Sequence, residues 1–158
     1  MSELTLTASA MFANAARFTD AYHAVIAPLC EKTQLPPAAV DILLFLANNP
    51  GHDTAAAVCR MRGLKPGIVS FHVDRLVTEG YLLRQGVPGD RRKTSLSCTG
   101  KAAPIIEQGR MLQRAFAEQL TDGLNEEDLA HFRRCIAAFD RNIERIRTEG
   151  CRRRETQP

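Results

Sequence analysis

The segment "KPGIVSFHVDRLVTEGYLLRQGVPGDRRKTSLSC", residues 65–98, reads as one helix followed directly by a β-hairpin. Pro66 suits a first helical turn, and Gly80 is a typical residue just past a helix end. Between them the apolar side chains recur at helical spacing, which predicts one buried face: Val69, Val73, Leu76 and Val77. After the glycine, "YLLRQ" predicts a strand, "GVPGDRR" a turn and "KTSLSC" a returning strand.

A shorter helix precedes this segment. Asp53 and Thr54 are cap residues in front of "AAAVCRMR", and Gly63 marks its end. Two helices joined by a tight glycine turn make a helix-turn-helix, and the hairpin behind them makes it a winged helix. In the second helix, the residues predicted to face outward are Gly67, Phe71, Asp74 and Thr78, with Ser70 and Arg75 on the flanks.

Helices with apolar stripes are predicted on both sides of the winged helix. The first helix carries its stripe from Met11 to Leu29, and Pro28 is expected to kink or end it. A second, deeply buried helix begins at Pro37, and Thr99 is expected to cap a fifth. Asn125, followed by three acidic residues, predicts the start of a sixth.

The outer helices expose more apolar surface than the local sequence can bury, which predicts a homodimer in which they interlock. The apolar side chains of the sixth helix form a regular seam, in which they recur at alternating steps of three and four residues. Such a seam needs another helix packed along its length. The predicted dimer contacts are Met11, Phe18, Leu129, Phe132, Ile136, Phe139, Ile143 and Ile146. The predicted fold class is therefore mainly α with a small β-hairpin wing (α+β).

The positive charge is concentrated in the middle of the chain. The chain has a formal net charge of +3, yet residues 60–93 alone hold eight Lys or Arg and three Asp or Glu. Three of those cations, Arg91, Arg92 and Lys93, follow the turn of the hairpin. Local basic charge on a compact element is typical of a polyanion-binding surface.

Several other classes of protein are disfavoured by the sequence. No stretch has the roughly 18 consecutive apolar residues of a transmembrane helix, and no secretory signal is recognisable, so a cytoplasmic location is expected. The five cysteines lack a CxxC pair, and the four histidines are scattered, so neither a disulfide framework nor a metal site is predicted. No nucleophile elbow, phosphate loop or cofactor motif is present, so no enzyme activity and no cofactor are expected.

The middle of the chain resembles the MarR family of bacterial transcriptional regulators. The resemblance rests on the proline-opened helix with "VDRL" at 73–76, on "DRR" at 90–92 and on "LSCTG" at 96–100. It implies four parts: an N-terminal dimerisation helix (1–34), a winged helix-turn-helix that binds double-stranded DNA (35–98), C-terminal dimerisation helices (99–148) and a basic, flexible tail (149–158). The implied function is regulation of transcription, as a homodimer on a pseudo-palindromic operator.

On this resemblance the helix at 66–78 enters the major groove and the wing reaches phosphates or the minor groove. The residues implied for DNA contact are Lys65, Pro66, Gly67, Ser70, Phe71, Arg75, Arg91, Arg92 and Lys93. Asp90 is expected to pair with Arg92 and stabilise the wing, leaving Arg91 to reach DNA. The chain departs from the family where Lys65 replaces a serine cap and Phe71 replaces a polar side chain. Phe71 is expected either to touch DNA or to pack on the wing.

Family members often bind small aromatic acids, which makes a small-molecule effector an expected partner. The candidate ligand-binding residues are Arg17, Tyr22, His23 and His72. A redox-responsive regulator acting through Cys30 is an alternative on the same fold, and Cys59, Cys98 and Cys135 are expected on buried faces. Two further alternatives are a winged-helix interaction module that binds no DNA, and a small thiol enzyme.

Overall fold

The computed structural model describes residues 7–87 and 90–150, with the backbone alone given for Val87 and for residues 90–93. The described elements follow the order expected of a winged helix with flanking helices. They are α1 (Ala8–Thr33), α2 (Pro37–Asn48), α3 (Ala55–Arg62), α4 (Pro66–Thr78), β1 (Leu82–Val87), β2 (Asp90–Cys98), a 3₁₀ turn (Gly100–Ala102), α5 (Ala103–Leu120) and α6 (Glu126–Glu149).

Local capping chemistry explains where several helices begin and end. The Thr54 hydroxyl accepts a hydrogen bond from the Ala57 amide at 3.1 Å and starts α3. Gly63 ends α3 with a φ of 65°, a left-handed conformation that favours glycine and turns the chain toward α4. Asn125 and Asp128 form a reciprocal capping box at the start of α6. The sequence predicted each of these boundaries.

Two predicted boundaries are wrong. Pro28 was predicted to kink or end α1, and the predicted end is wrong: the helix continues to Thr33, because the turn around the proline is packed into the core by Ile26 and Leu29. That tertiary packing outweighs the one backbone hydrogen bond that proline removes. Thr99 does not cap α5 with its side chain; its hydroxyl donates to the Gly80 carbonyl at 2.7 Å, and a 3₁₀ turn precedes the helix.

The wing is a two-stranded antiparallel hairpin whose strands are longer than predicted. Leu82 pairs with Cys98 and Arg84 pairs with Leu96, and the register shifts between Gly86 and Val87. Residues assigned to the turn from the sequence, among them Gly86 and the backbone of 90–92, lie in the strands. Backbone hydrogen bonds extend the strands past their last buried side chains. A pattern of apolar residues does not reveal this extension.

Helix α2 forms the centre of the core. Every residue from Ala39 to Leu46 is buried, and α1, α4, the wing and α5 contribute the other buried apolar side chains. The α4 contribution is Val69, Val73 and Leu76, as predicted, while Val77, the fourth residue of the predicted face, is half-buried and packs against the core. The core therefore fixes the inner face of α4 and leaves its outer face free.

The chain divides into two compact units, one up to Phe116 and one from Ala117 onward. In the second unit, none of the described residues of α6 is buried. Its seam side chains from Phe132 to Ile146 are 41–57% exposed. Cys135 is exposed rather than buried as predicted, and Cys59 and Cys98 are half-buried. Among the residues that the structure describes, no helix has the length and apolar character needed to span a membrane.

Gly109 sets the distance between α2 and α5. A Cβ added at this position would lie 2.5 Å from Cδ2 of Leu44, a fully buried side chain. We therefore expect Gly109→Ala to lower the free energy of unfolding by about 1–2 kcal/mol, because overpacking outweighs the gain in helix propensity. Urea unfolding measures the change.

The same substitution in a Leu44→Ala chain is the control, since the space for the added methyl group then exists. There we expect Gly109→Ala to raise the free energy of unfolding, because the methyl group fills part of the cavity that Leu44→Ala creates. A Gly109→Ala protein more stable than the original chain would contradict the close packing of the two helices.

Candidate nucleic-acid interface

The outer face of α4 is exposed to solvent. Lys65, Pro66, Gly67, Ser70 and Phe71, all predicted DNA contacts, are exposed. They lie opposite the buried face of the helix and cluster in its first half. The sequence therefore located this surface correctly, while its contact with DNA stays a prediction.

The N-terminus of α4 is suited to an anion. No side chain caps the first-turn amides, and that turn contains no acidic residue. The free amides and the helix dipole together favour a phosphate group at this end. Lys65, at the cap position, adds a positive charge and makes no hydrogen bond or ion pair with any residue that the structure describes.

A groove of about 640 Å³ separates α3 from the start of α4. It is lined by Ala55, Ala56, Cys59, Arg60, Pro66 and Ser70. Arg60 is exposed and, within the described part of the chain, has no acidic partner. Arg60 therefore adds a second positive charge near the start of α4, beside that of Lys65. The sequence analysis had included it only in the count of cations over residues 60–93.

Arg75 departs from its predicted role. Its Nε donates to Glu79 at 2.6 Å and its Nη2 donates to the Gln34 carbonyl at 2.9 Å. These bonds tie the second half of α4 to the residue that ends α1. The guanidinium is therefore used to hold α4 in place, and its contacts do not support a contact with bases.

Two further cations of the basic segment are paired inside the protein. Arg62 donates two hydrogen bonds to the buried carboxylate of Asp41, at 2.6 and 2.8 Å. Arg84 on β1 pairs with Asp74 on α4 and so links the wing to that helix. The sequence analysis missed both pairs, because 21 and 10 residues separate the partners.

The cations at the wing tip lie outside the described side chains. The backbone of Asp90, Arg91, Arg92 and Lys93 belongs to β2, and their side chains are not described. The predicted pairing of Asp90 with Arg92 and the predicted DNA contacts of the wing therefore stay predictions.

The four residues predicted to bind a ligand lie in different surroundings, two exposed and two buried. Arg17 and His23 are exposed on α1, and Arg17 donates to Asn14 of the same helix. Tyr22 is buried, its hydroxyl accepts a hydrogen bond from Gln113 at 2.8 Å, and burial raises its pKa. His72 is buried in α4, where burial lowers its pKa and Nδ1 has no partner among the described residues.

A different cavity, of about 770 Å³, opens between the end of α2, the base of the wing and α5. It includes none of those four residues; its polar lining comes mainly from Thr99, Glu107, Arg110 and Arg114. Arg110 is held by the Asn48 side chain at 2.7 Å and the Ala47 carbonyl at 2.8 Å. The sequence gave no signal for this site, because its lining residues come from three separate elements.

Cys30, the candidate redox residue, is buried in the core next to Ile26 and Leu29. Burial raises the pKa of its thiol. A neutral, buried thiol reacts slowly with oxidants, since the thiolate is the reactive form. The structure therefore favours a packing role for this side chain.

Comparison with known proteins gives the same fold over most of the chain. The crystal structure of transcriptional regulator PA3341 covers 85% of this chain and 98% of its own, with a TM-score of 0.74 at 21% identity. A MarR protein from Peptoclostridium difficile covers 89% and 92%, with a TM-score of 0.73 at 16% identity. BpsR of Bordetella bronchiseptica, whose DNA binding is regulated by 6-hydroxynicotinic acid, covers 89% and 97%, with a TM-score of 0.63 at 15% identity.

The family model of the MarR family matches residues 33–93, which run from the end of α1 to the wing. This match includes the whole outer face of α4 and both helices of the helix-turn-helix. The order of helices and strands around it is that of the solved structures above. The segment 33–93 therefore matches the MarR family, and the fold around it is that of solved MarR structures.

Proposed function

We propose that this protein regulates transcription by binding a pseudo-palindromic DNA site as a homodimer, with α4 in the major groove and the wing on the flanking backbone. The observation that carries the proposal is the outer face of α4: an exposed, uncapped helix start beside Arg60 and Lys65, neither of which has an acidic partner among the described residues. An α-helix fits the major groove, and cations at its start match the phosphates on either side.

Two copies are needed for this geometry. The described α6 exposes its apolar seam from Phe132 to Ile146, and α1 exposes Met11, Phe12 and Phe18. An apolar surface of this kind on a soluble chain favours association with a second copy. Two α4 helices related by a two-fold axis would address half-sites one helical turn apart, about 34 Å.

Selection from a pool of random duplexes with the full-length protein tests the proposal. We expect enrichment of an inverted repeat whose half-sites are about one helical turn apart, and a footprint that covers both. A protein that enriches no sequence and binds no duplex at low salt would be an interaction module instead, and the proposal would be wrong.

The wing is tested by the salt dependence of binding. We expect Arg91→Ala to weaken binding to selected and scrambled duplexes alike and to reduce the slope of log K against log[salt] by about one, because one phosphate contact is lost. Fluorescence anisotropy at several salt concentrations measures the slope.

Arg141→Ala is the matched control, since Arg141 is an exposed cation on α6, outside the winged helix. Its slope should equal that of the original protein. Equal slopes for the Arg91 variant and the original protein would reject the role given to the wing.

The cavity at the base of the wing supports control by a small anionic effector. Arg110 and Arg114 outnumber the one carboxylate of its lining, that of Glu107, and Ala47, Ile106 and Met111 give it apolar walls. A small aromatic acid fits that chemistry, and 6-hydroxynicotinic acid acts on BpsR. Such an acid would change DNA binding only by preferring one state of the dimer. Titration of the protein–duplex complex with aromatic acids tests for release.

A further inference from the structure

The outer face of α4 offers very few side chains that can read a base by hydrogen bonding. The helix, "PGIVSFHVDRLVT", contains no Asn, Gln, Glu or Lys, and its long or ionisable side chains are Arg75, Asp74 and His72. Arg75 and Asp74 form ion pairs with other residues of the chain, with 36% and 58% of their side chains exposed, and His72 is buried. Direct readout by this helix therefore has to rely on other groups.

The side chains of Arg75, Asp74 and His72 are occupied in different ways. The guanidinium of Arg75 lies on Glu79 and the Gln34 carbonyl. The carboxylate of Asp74 accepts a hydrogen bond from Arg84 of the wing. His72 is 9% exposed and sits on the inner side of the helix. None of them presents the free paired donors and acceptors that recognise guanine or adenine.

The side chains left on the first half of the outer face are mostly apolar. Phe71 is 64% exposed and Ile68 is 46% exposed. The ring of Phe71 meets His72 edge-on, with 5.2 Å between the ring centroids, and stays open to solvent instead of packing on the described part of the wing. Ser70 adds one small hydroxyl, which accepts or donates to any base.

We propose that α4 recognises its operator through the 5-methyl groups of thymine, with Phe71 and Ile68 as the specificity-determining contacts. This inference rests on the proposed function. The thymine methyl group is the apolar feature of the major groove, and apolar side chains make favourable contacts with it. Burial of Phe71 and Ile68 against methyl groups also removes exposed apolar area from water.

Replacing thymine by deoxyuridine tests the proposal, because that change deletes the methyl group and leaves every hydrogen-bonding group in place. The selected duplex is synthesised with one thymine replaced at a time, at matching positions of both half-sites. For at least one position near the centre of each half-site we expect the original protein to bind about fourfold more weakly per methyl group lost. Fluorescence anisotropy with the full-length dimer measures each affinity.

Phe71→Ala and Ile68→Ala assign the contacts. We expect each variant to bind the thymine duplex more weakly and to lose its sensitivity to deoxyuridine at one position, as a double-mutant cycle between side chain and methyl group. Phe71→Leu keeps an apolar side chain and should keep the sensitivity. Both residues are exposed, so the variants should retain the melting temperature of the original protein.

The outcomes separate this inference from the proposed function. A dimer that binds its selected duplex but is indifferent to deoxyuridine at every position overturns the methyl readout and leaves DNA binding intact. Sensitivity that persists unchanged in Phe71→Ala and Ile68→Ala also overturns it, since the methyl groups would then act through DNA shape. A protein that selects no duplex overturns both.

Discussion

A chain carrying Ile136→Glu is expected to be monomeric and to bind the selected duplex at least about 100-fold more weakly than the original dimer, because bivalent binding to two half-sites is lost. Ile136 lies in the middle of the α6 seam and is 44% exposed in the single chain. In the proposed dimer this side chain is buried by the second copy, and a carboxylate there would lose its water without gaining a partner. Light scattering after gel filtration gives the oligomeric state, and anisotropy gives the affinity.

Ala137→Glu is the matched control. Ala137 is the next residue of α6, is also exposed, and points about 100° away from Ile136, on the flank of the helix. The variant adds the same charge and should remain a dimer with the original affinity. An Ile136→Glu protein that stays dimeric would exclude the α6 seam from the interface. A monomeric Ile136→Glu protein with unchanged affinity would show that DNA binding needs a single copy.

The sequence was sufficient to predict the features that depend on residues close together in the chain. The start of α3 at Thr54, its end at Gly63 and the capping box at Asn125 depend on contacts within four residues. The buried and exposed faces of α4 follow from a period of 3.6 residues, so Val69 and Phe71 lie where the pattern placed them. The same rules failed at Pro28, where packing against the rest of the core decided the outcome.

Contacts between residues that are far apart in the chain could not be predicted from the sequence. Arg75 meets the carbonyl of Gln34, 41 residues earlier, and Arg62 meets Asp41, 21 residues earlier. Counting cations along the chain therefore overstated the charge available to DNA, because these guanidinium groups and that of Arg84 are neutralised within the fold. The free positive charge of the described winged helix is reduced to positions such as Arg60 and Lys65, close to the start of α4.

Arg62→Met is expected to lower the free energy of unfolding by about 3 kcal/mol, the lower end of the cost of breaking a buried ion pair. Asp41 lies in the buried α2, with 11% of its side chain exposed, and both of its oxygens accept from Arg62. Without the guanidinium the carboxylate is left unpaired in the core. The Arg62 side chain is itself 39% exposed, so water already screens part of the interaction and the cost stays below that of a fully buried pair. Urea unfolding at one fixed protein concentration measures the change, since the proposed dimer would add a concentration-dependent contribution to stability.

Two control variants separate the buried charge from the loss of a contact. Asp41→Asn removes the charge and leaves Arg62 able to turn toward water, so we expect a cost of only about 1 kcal/mol. Arg147→Met removes a comparable pair, with Glu144, that lies on the surface of α6 with both side chains more than 60% exposed, and it should leave the unfolding curve unchanged. An Arg62→Met protein as stable as the Arg147→Met protein would contradict a stabilising role for the pair. Because Arg62 belongs to the same short helix as Cys59 and Arg60, which line the groove beside α4, the Arg62 variant should also bind the selected duplex more weakly than Asp41→Asn does, in the order of their stabilities.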